Sequence, residues 1–378
     1  MRSIITIAWK AILLLMAISC TSSNNGEVSV SENLPTVLKP SMQRYFVDSL
    51  YLENAGTVFL ETNPNSFINR IDKLYMDEGL IYIFDRSLSK IVAFSEDGRY
   101  IGHLHRIGKG PMEYTALIDI DIDTESKKIH LLSDSPFKIM TFDYDFNFES
   151  EISVENHYLE LLAEQDYFYC RRAETTNYIP NENYLDIVNK KDGNVEQRLL
   201  PIQADTESLQ KAKIPGRKLT KSNAIFITTS HDNSIYELKD ENLIKRFVIA
   251  FDEDKNESND GNKHITNTVE SDRLVMFTSN DGLFILDKES GDLRGYTAGL
   301  LNTGPLYSSL TQFLPVSRST STIAFIRQPA ILKMMAKSMS EKLPQTNISQ
   351  PNENNTKFLD FVDKIDENSN PILFFYNF

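Results

Sequence analysis

The stretch IDKLYMDEGLIYIFDRSLSKIVAFSEDGRYIGHLHRIGKGPMEY, residues 71–114, carries the plan of the whole chain. Leu80–Phe84 is a short apolar, β-prone run that suits a strand buried on both faces. Asp85-Arg86-Ser87 turns the chain into a second run, Ile91–Phe94. Glu96-Asp97-Gly98 is a hairpin turn, and Tyr100–His105 forms an outer strand before a Gly/Pro loop. The plan recurs in Ile129–Leu132, Ile139–Phe142 and Phe148–Ile152. It recurs again in Tyr167–Cys170, Tyr184–Val188, the turn Lys191-Asp192-Gly193 and Val195–Leu200. The matched positions Ile81, Ile129 and Tyr167 lie 48 and 38 residues apart, a spacing that fits one four-stranded unit per repeat.

Residues 202–221 read as a polar linker. A fourth unit follows in Ile225–Ile227, Ile235–Leu238 and Phe247–Ala250, then a charged loop, Asp252–Lys263. Leu274–Phe277, Leu283–Leu286 and Leu293–Tyr296 make a fifth. The sixth holds Ile323–Ile326, a helical insert at Ala330–Lys342, an Asn/Gln-rich loop at Pro344–Thr356, a helix at Lys357–Ile365 and a last strand, Ile372–Tyr376. These periods predict an all-β fold: a six-bladed β-propeller of four-stranded antiparallel blades with short helical inserts near the C-terminus. Pairing of Thr57–Glu61 with the last blade would close the ring and remove its open edges.

The N-terminus reads as an address. Arg2 and Lys10 flank a short apolar run, Ala11–Ile18, that ends in Ser19-Cys20, the pattern of a secretory signal. The run is shorter than the roughly 20 apolar residues that a bilayer span requires. Residues 1–19 are expected to be a signal peptide, 20–40 a flexible polar tether and 41–378 the propeller. Removal of Arg2 and Lys10 takes the formal net charge from −14 to −16. Nucleic acid and anionic lipid need clustered Lys/Arg, so this balance argues against both as partners. Arg171-Arg172 and the run Lys211–Lys221 are too small to reverse it. Cys170 sits in a strand-like run with no activating neighbour and reads as a buried, inert thiol.

Ile81–Asp85, Ile91–Phe94, Asp97-Gly98 and Gly108-Lys109-Gly110-Pro111-Met112-Glu113-Tyr114 together resemble a family of six-bladed β-propeller lipoproteins of Gram-negative, gut-type anaerobes. The family's loop is G-x-G-P-G-E-Y, and this chain has Met112 in place of the third Gly. Asn370-Pro371-Ile372-Leu373 is similar to the family's terminal N-P-V-L segment, and a more distant likeness is to NHL-type propellers. Ala17-Ile18-Ser19-Cys20 resembles the bacterial lipoprotein cleavage box, although that box prefers Leu where Ala17 stands. The resemblance implies that Cys20 is lipidated and that the protein is anchored in the cell envelope, at the outer membrane. It implies no reaction.

Candidate chemistry is sparse. The loop Gly108, Gly110, Pro111, Glu113, Tyr114 lacks the Lys-Ser/Thr of a phosphate-binding loop and reads as a crossover between blades. Asp119, Asp121 and Asp123 share one strand face at period two, with Ile118, Ile120 and Ile122 on the other. An acidic inner-strand face is a candidate for a hard cation such as Ca²⁺. His103 and His105 also share a face but have no evident third ligand. Asp48-Ser49-Leu50 resembles an O-glycosylation acceptor of the same kind of bacteria, with Ser49 as its site. No motif of a nucleophilic or metal-dependent enzyme appears, so no catalytic residue is nominated. Two functions follow: a binding module for a glycan, peptide or protein partner, or a metal-dependent hydrolase or lyase in the central channel. The channel separates them, since a plugged channel suits a binder and an open funnel of His and carboxylates suits an enzyme.

Overall fold

The run that carries the repeat, Leu80–Asp85, is a strand buried over its last five residues. It pairs antiparallel with Lys73–Asp77 on one side and Lys90–Ser95 on the other, and Tyr100–Leu104 completes blade I. The computed structural model describes residues 34–378 apart from 44–45, 48–50, 177–178, 181–182, 202–215, 231, 252–263, 298, 301–312 and 343–352. Six such sheets follow one another around a ring. From innermost strand outward, blade II runs Leu117–Asp123 to Phe148–Ser153 and blade III Tyr158–Glu164 to Val195–Pro201. Blade IV runs Leu219–Lys221 to Asn242–Ile249 and blade V Thr266–Glu270 to Leu293–Tyr296. Blade VI joins Leu314–Pro315, Thr322–Arg327 and Ile372–Asn377 to Glu53–Phe59, so an N-terminal strand closes the ring.

The continuous apolar runs are explained by where alternate residues point. Ile81 and Ile83 pack with Leu74, Ala324 and Leu373 between blades VI and I, while Tyr82 and Phe84 pack with Ile120, Ile129 and Met140 between blades I and II. The same alternation gives one apolar cluster at each junction, II with III, III with IV, IV with V and V with VI. The middle strands of each blade are therefore buried on both faces, while outer strands such as Phe148–Ser153 stay largely exposed. Full burial of one Leu, Ile or Phe side chain contributes about 1.5–3 kcal/mol, and these contributions hold neighbouring blades together rather than filling a single centre.

The Asp-Gly hairpin turns serve the same junctions. Gly98 has φ +86°, and a Cβ there would lie 2.1 Å from the Phe59 carbonyl oxygen of blade VI. Gly193 of blade III has φ +78° and would lie 2.1 Å from the Ser153 carbonyl oxygen of blade II. Only glycine lets the turn of one blade meet the outer strand of the previous one so closely.

Helix α1 (Pro329–Lys342) and helix α2 (Glu353–Asp363) lie between the second and third strands of blade VI, as expected. Leu332, Phe358 and Val362 seat them on the V–VI cluster. Two boundaries differ from the sequence reading. Residues 36–40 read as tether in the sequence, but Thr36–Leu38 pairs in parallel with Phe247–Ile249 at the outer edge of blade IV, and Ser41–Gln43 pairs likewise with blade V. A third parallel pair joins Phe46–Val47 to Gly299–Leu300. The segment is a belt along the rim, and pairings of two or three residues are too short to show a period. Leu219–Lys221, read as linker, is the innermost strand of blade IV. No described helix is long and apolar enough to cross a membrane.

Candidate functional site

An innermost strand has a free edge toward the channel, and its unpaired amides must find acceptors. Side chains of the neighbouring blade supply them. Asp119 Oδ2 accepts from the Leu161 amide and Asp121 Oδ2 from the Ala163 amide, each at 2.8 Å. Glu160 Oε2 accepts from the Leu219 amide at 2.7 Å, and Ser222 Oγ from the Glu270 amide at 2.8 Å. From blade I, Tyr75 donates its hydroxyl to Asp121 Oδ1 at 2.9 Å. The Ser317 amide donates to the Leu74 carbonyl at 2.8 Å and closes the circle.

The carboxylates that cap these amides are matched by cations inside the channel. Asp119 is fully buried and pairs with Lys73 at 3.0 Å and Arg217 at 2.5 Å. Asp121 pairs with Arg318 at 2.5 Å. Glu160 pairs with Arg171 at 2.9 Å. Burial pushes the Asp121 carboxyl up, yet Arg318 and Lys73 together hold it below the usual carboxylate range. Burial also opposes ionisation of Glu160, but Arg171, Arg217 and the Lys218 amide lower its pKa to about 2. The result is a bolt of paired charges across the channel. Beside these pairs, a void of about 20 Å³ lies among Lys73, Asp121, Arg217, Lys221 and Arg318, room for little more than one water-sized group.

This arrangement corrects the Ca²⁺ expectation for Asp119, Asp121 and Asp123. The first two carboxylates accept from amides and guanidinium groups, and Asp123 caps its own turn and lies 3.5 Å from Lys190 Nζ. Among the described residues no three His, Cys, Asp or Glu side chains converge as metal ligands. The faces also differ from strict period two. An irregularity in pairing near Leu117 turns Ile118 toward blade III, while Ile120 and Ile122 pack toward blade I.

The other sequence candidates are placed as follows. In the loop, Glu113 Oε2 accepts from the Gly110 amide at 2.7 Å, and a Cβ on Gly108 would lie 1.9 Å from that same oxygen. Pro111 follows at the turn, and Met112 adopts φ +61°. Tyr114 is buried; its hydroxyl donates to the Ser89 carbonyl at 3.0 Å and accepts from the Arg106 amide at 3.1 Å. Its own amide donates to the Arg106 carbonyl at 3.0 Å. The loop is thus a self-capped crossover pinned by Tyr114. His103 Nδ1 lies 2.6 Å from the Tyr100 hydroxyl, and His105 is exposed. Cys170 is a free, buried thiol pushed up by burial, in the II–III cluster. Cys20 and Ser49 lie outside the described residues.

Above the bolt, on the face where the innermost strands begin, a cavity of about 530 Å³ opens. Its wall comes from the segments entering the innermost strands (Arg70, Asp72, Leu159, Glu160, Arg217, Asn267, Leu314) and from the ends of second strands (Arg86, Arg171, Arg327). The channel is therefore a cup with a charged floor. The sequence reading noted Arg171 and the segment containing Arg217 as small basic clusters but did not connect them. Arg70, Arg86 and Arg327 lie outside those clusters, although an arginine at the end of the second strand in blades I and VI echoes Arg171 in blade III.

The family described as "Domain of unknown function (DUF4934)" matches residues 46–377. No protein of curated function matches in sequence. Among solved structures, a Bacteroides fragilis protein designated as exported is 15% identical, with a TM-score of 0.64 over 90% of this chain and 99% of that one. A functionally unknown protein of Desulfotomaculum acetoxidans is 14% identical, with a TM-score of 0.43 over 70% and 80% of the two chains. The extracellular domain of a one-component system of B. thetaiotaomicron is 11% identical, with a TM-score of 0.39 over 65% and 29%.

Proposed function

Because the chain belongs to the DUF4934 family, whose function is unknown, we propose its role from its own geometry: a non-catalytic binding module that takes a glycan, peptide or protein group into the cup on its upper face. The observation that carries this reading is the bolted channel. Lys73, Arg217, Arg318 and Arg171 are consumed in pairing Asp119, Asp121 and Glu160, so the acids that a hydrolase or lyase would use are already engaged. The cup above them is of the size at which small-molecule sites occur. In this reading the module is held in the cell envelope by a lipid on Cys20, at the outer membrane, and Ser49 is an O-glycan acceptor. The signal-like residues 1–19 support that address.

The test is a screen of oligosaccharide and peptide arrays with the purified, acyl-free chain, repeated with Ile71→Trp, which fills the cup from its wall. Ligands that bind the native chain and are lost in the variant support the reading. Retention of every ligand by the variant overturns it. Mass spectra showing cleavage or elimination of a bound ligand would favour the hydrolase or lyase alternative instead. The mass of the mature N-terminus tests Cys20, and an unmodified cysteine there removes the lipid anchor. Loss of mass on glycan removal tests Ser49.

A further inference from the structure

The face opposite the cup is built from the hairpin turns that join first to second and third to fourth strands. Acids recur on these turns from blade to blade. Glu96, Glu125, Asp145, Asp166, Glu241 and Glu289 are exposed on blades I to V, and their carboxylates make no hydrogen bond or ion pair among the described residues. The exposed lysines left equally unpaired on these turns are Lys191 and Lys239. At the junction of blades I and II two tyrosines join the acids. Asp77 accepts from the Tyr144 hydroxyl at 2.7 Å, and Glu78 pairs with the exposed Lys127, a kind of pair that contributes little. The ring of Tyr82 lies 5.3 Å from that of Tyr144. Its hydroxyl is buried and makes no hydrogen bond. Burial and the charges of Asp77, Asp145 and Glu78 push that hydroxyl above its usual range, which sets it beside the acids. A buried polar group without a partner is rare in a folded protein, and this oxygen can accept from an ammonium or guanidinium that enters between Glu78 and Asp145.

We infer that this face docks a basic segment of a partner protein, rich in Lys or Arg, with Glu78, Asp145 and the Tyr82 hydroxyl as its focal point. Among the described residues no three acids converge as ligands of one metal ion. The charge is spread from turn to turn, a distribution that a chain of cations matches. Opposite charge steers such a segment to the face and fixes its register. Lysine stems lie along the Tyr144 ring while their heads reach the carboxylates. The face is separate from the cup, and either reading stands without the other.

Calorimetric titration of the purified, acyl-free chain at low ionic strength tests this with three probes: a peptide of alternating Gly and Lys, its Gly-Glu counterpart, and spermine. Saturable binding of the Lys peptide and none of the Glu peptide is expected, with added salt weakening it. Glu78→Gln/Asp145→Asn should weaken binding about fivefold or more, the scale for two solvent-exposed ion pairs. Glu341→Gln/Asp360→Asn removes the same charge from exposed positions on the helices of the cup side and should leave binding unchanged. Tyr82→Phe should weaken binding yet leave the unfolding midpoint unchanged or higher, because the hydroxyl it removes has no partner to lose. Failure of the Lys peptide to bind overturns the inference, as does equal binding of the Glu peptide. So does an equal loss in the Glu341/Asp360 variant, or undiminished binding in either variant of the docking face. Binding of spermine alone identifies a free polyamine as the ligand and overturns it as well.

Discussion

Glu160→Gln probes the charged bolt most directly. Glu160 is buried, its carboxylate faces Arg171 at 2.9 Å and Arg217 at 3.7 Å, and it accepts from the amides of Leu219 and Lys218. Its pKa falls from an ordinary 4.5 to about 2 on folding. At about 1.4 kcal/mol per pKa unit, that difference corresponds to about 3 kcal/mol of stability held by the ionised form. An independent route gives a similar figure, since removal of one partner from a buried pair costs about 3–5 kcal/mol. The sign follows from the lowered pKa. The contribution is fully present above 4.5 and is lost as pH falls through about 2. Urea unfolding at neutral pH should therefore show Glu160→Gln less stable than the native chain by about 3 kcal/mol, with the gap closing between pH 4.5 and 2. A neutral-pH gap below about 1 kcal/mol, the scale of a solvent-exposed pair, would refute the reasoning. A gap that does not change with acid would refute it as well.

Other outcomes follow from the junctions and the loop. Met112→Gly removes a side chain from a left-handed backbone position and should raise stability by about 1 kcal/mol in thermal or urea unfolding. Tyr114→Phe leaves the Ser89 carbonyl and the Arg106 amide without their partner, a loss of about 1–3 kcal/mol that the same unfolding curves would read. Gly98→Ala drives a methyl into the Phe59 carbonyl. It should cost more than the roughly 1 kcal/mol of a simple Gly-to-Ala backbone effect, with hydrogen exchange rising first in Glu53–Phe59 if the damage sits at ring closure.

The ring was legible because its strands are apolar on both faces. Runs such as Ile81–Phe84 and Leu283–Leu286 carry that signature without any partner in view, and the Asp-Gly turns at 97–98 and 192–193 punctuate it. Pairing of an early strand with the last blade followed from the need to leave no open edge. The cup was not legible, and the reason is distance along the chain. Arg217 meets Asp119 across 98 residues and Arg318 meets Asp121 across 197. Neither arginine lies in a periodic segment. The acidic stripe at 119–123 was visible, but nothing local to it shows that guanidinium groups from two other blades arrive to neutralise it. Sequence alone thus presented a set of carboxylates awaiting a cation, and ring closure supplies the cations from the protein itself.

The belt at residues 36–47 has a mechanical consequence. Its parallel pairings lie on the outside of blades IV and V, ahead of the strand that closes blade VI. A pull applied to the N-terminus reaches the belt before it reaches any blade. Each of these pairings spans three residues, whereas Glu53–Phe59 is held to Ile372–Asn377 by a ladder along its length. The short pairings yield first and release residues 36–43 while the ring stays shut. The belt is a fuse ahead of the ring, sparing the cup from a force applied at its N-terminal end.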